Sequence, residues 1–221
     1  MIDSVVFDFD GVIIDTETPQ FKTWSEVFQE HGVKLDRRLW QKIIGGGTVR
    51  FDAFEHLQNL AGRDLNRDIV FESKSERYAK RIRESPTLPG VERYIEDARK
   101  LGFKIGVASS SSKEWVEGLL ESRGLLRYFD CVVCRDHVEN VKPNPELYLK
   151  AISLLGSSPE RAVAIEDSYN GLISAKNAGM YCVVVTNPMT KDMIFDRADF
   201  KLDALSEISL EDLVGIMGVE D

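Results

Sequence analysis

The sequence predicts an α/β fold: a parallel sheet flanked by helices, with an all-α segment inserted after the first strand. Three observations carry this expectation. From Leu88 onward, short and wholly apolar runs alternate with helical patterns, which is how buried parallel strands and their crossover helices read. One further apolar run, Ser4-Val5-Val6-Phe7, stands apart near the start. Between the two, residues from 16 to 85 hold several helical patterns and no convincing strand.

Taken in order, the first strand covers 4–7, and the insert follows with helices over 19–30, 37–43, 49–60 and 66–84. Gly45-Gly46-Gly47 marks a flexible break between the second and third of these, because glycine adds backbone freedom and no packing. Pro86, Pro89 and Gly90 mark the return to the main fold. Strands are then expected at 104–108, 131–133, 162–165 and 182–185, separated by helices over 91–101, 113–122, 146–155 and 171–178. Gly102, Gly124, Gly156 and Gly179 close those four helices, as residues just past a helix C-terminus commonly do. No internal repeat or low-complexity tract interrupts the pattern.

The chain has 221 residues, 43% hydrophobic and 29% charged, the composition of an ordinary globular protein and long enough for a core with a smaller insert. Its 28 basic and 37 acidic side chains leave a net charge of -9, which works against generic attraction to nucleic acid or to an anionic membrane. An anionic ligand must therefore be held by local groups. The odd number of cysteines and a charged Asp3 near the start argue against a disulfide framework and for a reducing cytoplasm. Cys131 and Cys134 form a C-x-x-C inside a strand-like run, where positions three apart face opposite ways. No apolar stretch approaches the ~20 residues that span a bilayer.

Parallel alternating folds hold ligands at the carboxyl ends of their strands, and those ends carry the chemistry here. The first strand runs into Phe7-Asp8-Phe9-Asp10-Gly11. Side chains two apart share a face, which aims Asp8 and Asp10 the same way, about 6 to 7 Å apart along the chain. Carboxylates aimed together repel unless a cation joins them; the plainer reading is a pair of solvated acids at a loop start. The second strand ends in Ser109-Ser110-Ser111-Ser112, with Glu114 beyond. Ser111 and Glu114 fit a capping box, which leaves Ser109 at the strand tip beside the amides of a helix start, an arrangement that binds phosphate oxygens. After the third strand, Lys142 precedes Pro143-Asn144-Pro145 and a helix; alone it reads as a solvated charge, but at a strand-to-helix crossing it can neutralise the acids and hold an anion. The fourth strand ends in Glu166-Asp167-Ser168. Adjacent acids there suit a hard cation such as magnesium, or cap the next helix. Asp-x-Asp, Ser, Lys and Glu-Asp at four successive strand ends argue against coincidence.

In these motifs the sequence resembles the haloacid dehalogenase superfamily, specifically its branch of β-phosphoglucomutase-like phosphatases. The matching segments are Phe-Asp-Phe-Asp-Gly at 7–11, Val-Ala-Ser-Ser-Ser at 107–111, Val-Lys-Pro-Asn-Pro at 141–145 and Ile-Glu-Asp-Ser-Tyr-Asn-Gly at 165–171. The resemblance spans essentially the whole chain and implies a Rossmann-like catalytic core over 1–15 and 86–221 with a helical cap domain over 16–85. It further implies that Asp8 attacks phosphorus and that Asp10 protonates the departing oxygen and later activates water. Ser109 and Lys142 would hold the phosphoryl group. Mg2+ would be bound by Asp8, the backbone carbonyl of Asp10 and Asp167, with Glu166 as ligand or outer support. Ser110 and the cap-side residues Thr16, Glu17, Gln20, Trp24, Arg50 and Lys74 are the candidate substrate contacts.

The expected partner is a small phosphorylated metabolite, and the expected form is a monomer or weak homodimer. A phosphosugar mutase is the nearest rival, but that branch usually has a histidine where this chain has Gln20. A phosphoacceptor signalling module also gathers acids, a hydroxyl and a lysine at parallel strand ends; the insert and the acid spacing argue against it.

Overall fold

The computed structural model describes residues 1–44 and 51–217. A six-stranded, wholly parallel sheet lies at its centre, formed by β1 (Ser4–Phe7), β2 (Lys104–Ala108), β3 (Cys131–Val133), β4 (Ala162–Glu166), β5 (Tyr181–Val185) and β6 (Phe200–Leu202) in the order β3-β2-β1-β4-β5-β6. The five strands expected from the apolar runs are all present. The edge strand β6 was not expected: it is three residues long and carries a lysine in its middle, too short to set up a recognisable pattern.

Helices α5 (Val91–Lys100), α6 (Lys113–Ser122), α7 (Glu146–Leu155) and α8 (Tyr169–Asn177) form the crossovers, and α9 (Leu210–Met217) ends the described chain. Each of the four glycines expected to stop a helix has positive φ. Helix α8 begins two residues before the expected start because Ser168 caps it, its hydroxyl accepting from Gly171 N–H. Helix α9 was not expected from the sequence.

Alternation along the central strands divides the core. Val5, Phe7, Ile105, Val107, Val163 and Ile165 face one apolar cluster, while Val6, Ala108, Ala164 and Val184 face the other. This is the period-two geometry of a sheet buried on both faces. Cys134 lies in the first cluster and Cys131 packs against the second, so the C-x-x-C does point two ways. All three cysteines are free, and burial pushes the thiols of Cys131 and Cys134 up to about 11 and about 12, which leaves neither nucleophilic at neutral pH.

Between β1 and α5 the described chain forms α1 (Glu17–Glu30), α2 (Arg37–Gln41), α3 (Ala53–Ala61) and α4 (Arg67–Glu84), with no named strand among the described residues. The third helix starts later than expected because Asp52 caps it through Phe54 and Glu55 N–H; the expected Gly45-Gly47 break lies outside the described residues. These helices bury their own cluster, including Trp24, Phe28, Trp40, Phe54 and Leu57, which Met189 joins from the loop after β5. Among the described residues no helix is long and apolar enough to cross a membrane.

The register positions the site. Phe7 pairs with Val107 on one side and Ile165 on the other, so three strands end level and their following loops meet. Because the insert has a separate core, Leu57→Ala should open space there without touching either sheet face. It should lower the unfolding free energy by roughly 2–5 kcal/mol, read from urea denaturation; an unchanged midpoint would contradict this packing.

Candidate active site

A cavity of about 410 Å3 opens where these loops meet, lined by Asp8, Asp10, Ser109 to Ser112, Lys142 and Asp167 from the sheet side. Its most buried part is a charge cluster. Lys142 Nζ lies 2.7 Å from Asp8 Oδ1 and 2.6 Å from Glu166 Oε1, and all three residues are almost fully enclosed. Glu166 Oε1 also accepts from Tyr148 Oη at 2.5 Å, while its Oε2 accepts from Asp167 N–H at 3.2 Å and Ser168 Oγ at 3.3 Å. A carboxylate offers about four acceptor positions, and those of Glu166 are all engaged. Asp167 is set differently: Asn187 Nδ2 donates to its Oδ2 at 2.6 Å, and its other oxygen has no protein partner among the hydrogen bonds described.

Two glycines make this crowding possible. A Cβ on Gly171 would come within 2.1 Å of three Glu166 carboxylate atoms, and one on Gly11, whose φ is +82°, would lie 2.0 Å from Asp167 Oδ2. The Gly that ends each acidic motif therefore makes room for a carboxylate.

Oxygens of Asp8, Glu166 and Asp167 lie within 4.8 Å of one another. Burial, and then the charge of Glu166, push Asp8 up to about 8 against the pull of Lys142. Burial with the charges of Asp8 and Glu166 holds Asp167 well above the usual carboxylate range. Burial alone would push Lys142 down, but Asp8 and Glu166 outweigh it and hold it above the ordinary lysine value. Three enclosed carboxylates beside one ammonium leave excess negative charge, and the oxygens of Asp8 and Asp167, with the engaged Glu166 behind them, are a hard donor set that fits a divalent cation.

Asp10 turns to the other side of the cavity. Its Oδ2 accepts from Ser111 Oγ at 2.6 Å and Ser109 Oγ at 3.3 Å, and its Oδ1 accepts from Trp115 Nε1 at 3.1 Å. Its carboxylate is not part of the cation-fitting group, because β1 has ended at Phe7 and strand alternation no longer sets its direction. The capping reading of the serines needs correction. Ser112, not Ser111, caps α6, accepting from Trp115 N–H, which frees Ser111 for Asp10. Ser110 Oγ is buried without a protein partner.

On the insert side Thr16, Glu17 and Gln20 line the cavity. Burial, with the charges of Asp10 and Asp15, pushes Glu17 up to about 8. Trp24 packs in the insert core instead. Lys74 is not among the lining residues: its Nζ lies 4.5 Å from the Tyr78 ring centroid and 6.0 Å from that of Trp24, and burial lowers its pKa. Arg50 lies outside the described residues. The cavity also includes Ile44, Tyr78, Trp115 and Arg135, and Asn187 and Tyr148 brace it from behind; none of these was singled out from the sequence, because each reaches the site from a helix or loop without a recognisable motif.

A parallel sheet with acids, hydroxyls and a lysine gathered at its carboxyl edge beneath a helical insert defines an α/β enzyme that handles an anionic group. The chain belongs to the haloacid dehalogenase-like hydrolase family, whose profile matches residues 5–185. It is 45% identical over 210 residues to the candidate phosphatase YhcW of Bacillus subtilis, covering 95% of each chain. It is 32% identical over 216 residues to hexitol phosphatase B of Escherichia coli, covering 96% of each. Its fold is similar to the crystal structure of β-phosphoglucomutase from Clostridium difficile, with a TM-score of 0.74 and 25% identity over 97% of this chain and 96% of that one.

The raised carboxyls make a pH prediction for protein stripped of divalent ions. An aspartate whose folded pKa of about 8 exceeds its ordinary 3.8 binds its proton more tightly in the folded state, so its stabilising contribution is full below the unfolded value and is lost as pH rises toward the folded one. Asp167 and Glu17 act in the same direction. Thermal unfolding in EDTA should show the melting temperature falling between pH 5 and pH 8, and less steeply in Asp8→Asn. A melting temperature that rises over this window would contradict the burial of these acids.

Proposed function

We propose that the chain, a phosphoric monoester hydrolase of the haloacid dehalogenase type, is a magnesium-dependent phosphatase for a small phosphorylated metabolite, a sugar phosphate or similar ester. The observation that carries this reading is the buried contact of Lys142 with Asp8 beside Asp167: a nucleophile, an anion-holding cation and hard-cation ligands in one enclosed place.

Asp8, the backbone carbonyl of Asp10 and Asp167 would hold Mg2+, which supplies charge screening between the anionic nucleophile and the anionic ester. Glu166, with its acceptor positions engaged by Lys142, Tyr148, Asp167 and Ser168, acts as outer support that orients Lys142. An Asp8 oxygen bonds to phosphorus as the ester oxygen leaves, giving an aspartyl-phosphate, and Asp10 donates the proton that the ester oxygen takes up. Lys142 and the unpartnered Ser110 hold the phosphoryl oxygens; Ser109, expected to do the same, has its one hydroxyl proton on Asp10 Oδ2 and joins them only by turning away from it. Asp10 then accepts a proton from water as the water oxygen attacks phosphorus, and Asp8 is released with inorganic phosphate.

Residues 1–15 and 86–221 form the catalytic core in this reading, and 16–85 form a cap that excludes water and contacts the leaving group through Thr16, Glu17 and Gln20. Hydrolysis rather than mutase transfer is favoured by Gln20, which lines the cavity where related mutases usually have histidine. The free thiols, those of Cys134 and Cys182 buried, suit a reducing cytoplasm.

Phosphate release should be measured over a panel of sugar, polyol, nucleotide and small-acid phosphates with Mg2+. EDTA should abolish turnover, and Mg2+ should restore it. Asp8→Asn should lower kcat/KM on the best substrate by on the order of 10³-fold or more; full activity in that variant would refute the nucleophile. With β-glucose 1-phosphate, glucose 6-phosphate appearing without free phosphate would overturn hydrolysis in favour of transfer.

A further inference from the structure

We infer that Trp115 is a positioning residue for the proton transfers of Asp10, and that its stacking on Tyr78 ties this positioning to docking of the helical insert. The inference rests on the phosphatase reading above, in which Asp10 serves the leaving group.

Asp10 sits on a loop beyond its strand, so partners must fix its carboxylate. Three donors do so: Ser111 at 2.6 Å and Ser109 at 3.3 Å on Oδ2, and Trp115 Nε1 at 3.1 Å on Oδ1. With about four acceptor positions on a carboxylate, Oδ2 is saturated and one position remains, on Oδ1. The partners also differ in kind. A serine hydroxyl donates or accepts as it rotates, whereas an indole N–H only donates. The contact with Trp115 therefore survives both protonation states of Asp10 and keeps the free Oδ1 position in one direction. That position carries the proton in the acid half of the reaction: as the Asp8 oxygen–phosphorus bond forms and the ester bond breaks, the Oδ1 proton passes to the departing oxygen and Asp10 becomes a carboxylate. In the second half, a water proton returns to Oδ1 as the water oxygen bonds phosphorus and the Asp8–phosphorus bond breaks.

What holds the indole comes from the other side of the cavity. Trp115 on α6 stacks on Tyr78 of α4, with ring centroids 5.7 Å apart and planes 13° from parallel. Lys74, one turn earlier on α4, has its Nζ 4.5 Å from the Tyr78 ring centroid, and both aromatic rings line the cavity. Separating α4 from the core would remove the stack that fixes the indole, and with it the orientation of Oδ1. A docked insert thus aligns the acid; an undocked one leaves it free to turn.

The test compares kcat/KM, which reports the first phosphoryl transfer, on two esters. One is the sugar or polyol phosphate that the wild type cleaves fastest, whose alkoxide must be protonated to leave; the other is p-nitrophenyl phosphate, whose phenolate leaves without a proton. Trp115→Phe keeps a ring for the stack and removes the N–H. It should lose at least about tenfold on the alkyl ester and less than about threefold on the aryl ester, the difference expected when general-acid assistance is impaired. Tyr78→Leu keeps the N–H and removes the stack, and should give the same ester-selective loss; it also serves if Trp115→Phe does not fold, which its melting curve would reveal. Equal losses on both esters in these variants, or no loss, would overturn the inference and leave Trp115 a packing residue. A wild type that cleaves neither ester would instead overturn the phosphatase reading itself.

Discussion

The arrangement depends on one ammonium group. Lys142 bridges Asp8 and Glu166 where both are shielded from water, and an unpaired charge at such a site would cost several kcal/mol. Lys142 offsets part of the cost of burying three carboxylates and of their mutual repulsion but cannot cancel it, so Asp8 and Asp167 keep raised proton affinities. That residual tension is what a divalent cation would relieve. Glu166 is the fixed point: hydrogen-bonded through both oxygens and packed where a side chain on Gly171 would not fit, it sets the lysine, and the lysine sets Asp8.

The sheet supplies the convergence that the charges need. Because β1 pairs in level register with both β2 and β4, the Asp8–Gly11 turn lies between the serine loop and the Glu166-Asp167 turn. The loop after β5 adds Asn187, which holds Asp167 and also donates to the Gly11 carbonyl at 3.3 Å. The two acids of the first motif consequently separate in function: Asp8 enters the charge cluster, and Asp10 enters a network of hydroxyls and an indole.

The insert is tied to the core by several different contacts. Asn170 Nδ2 donates to the Ile44 carbonyl, Gln41 Nε2 to that of Met189, and Arg123 to those of Ile82 and Ser85. The Tyr78–Trp115 stack differs because one of its rings is hydrogen-bonded to Asp10, which is why the inferred coupling of the insert to the proton-handling group runs through it.

The sequence by itself determined the parallel α/β class, the helical insert, five of the six strands and the four loops that carry Asp8, Asp10, Ser109, Lys142, Glu166 and Asp167. It could do so because apolar runs and helix stops are local, and because chemistry at strand ends leaves short contiguous motifs. Only the tertiary structure decided which serine caps α6, that Glu166 has its acceptor positions engaged, and that Lys74 faces aromatic rings and not the cavity. It alone brought in Tyr78, Trp115, Asn187 and Tyr148, and the edge strand β6. Most of these depend on partners distant in sequence, as Ser111 and Trp115 do on Asp10 and Tyr148 on Glu166: a hydroxyl, indole or amide is given its role by whichever group the fold sets within about 3 Å, and no local pattern records that.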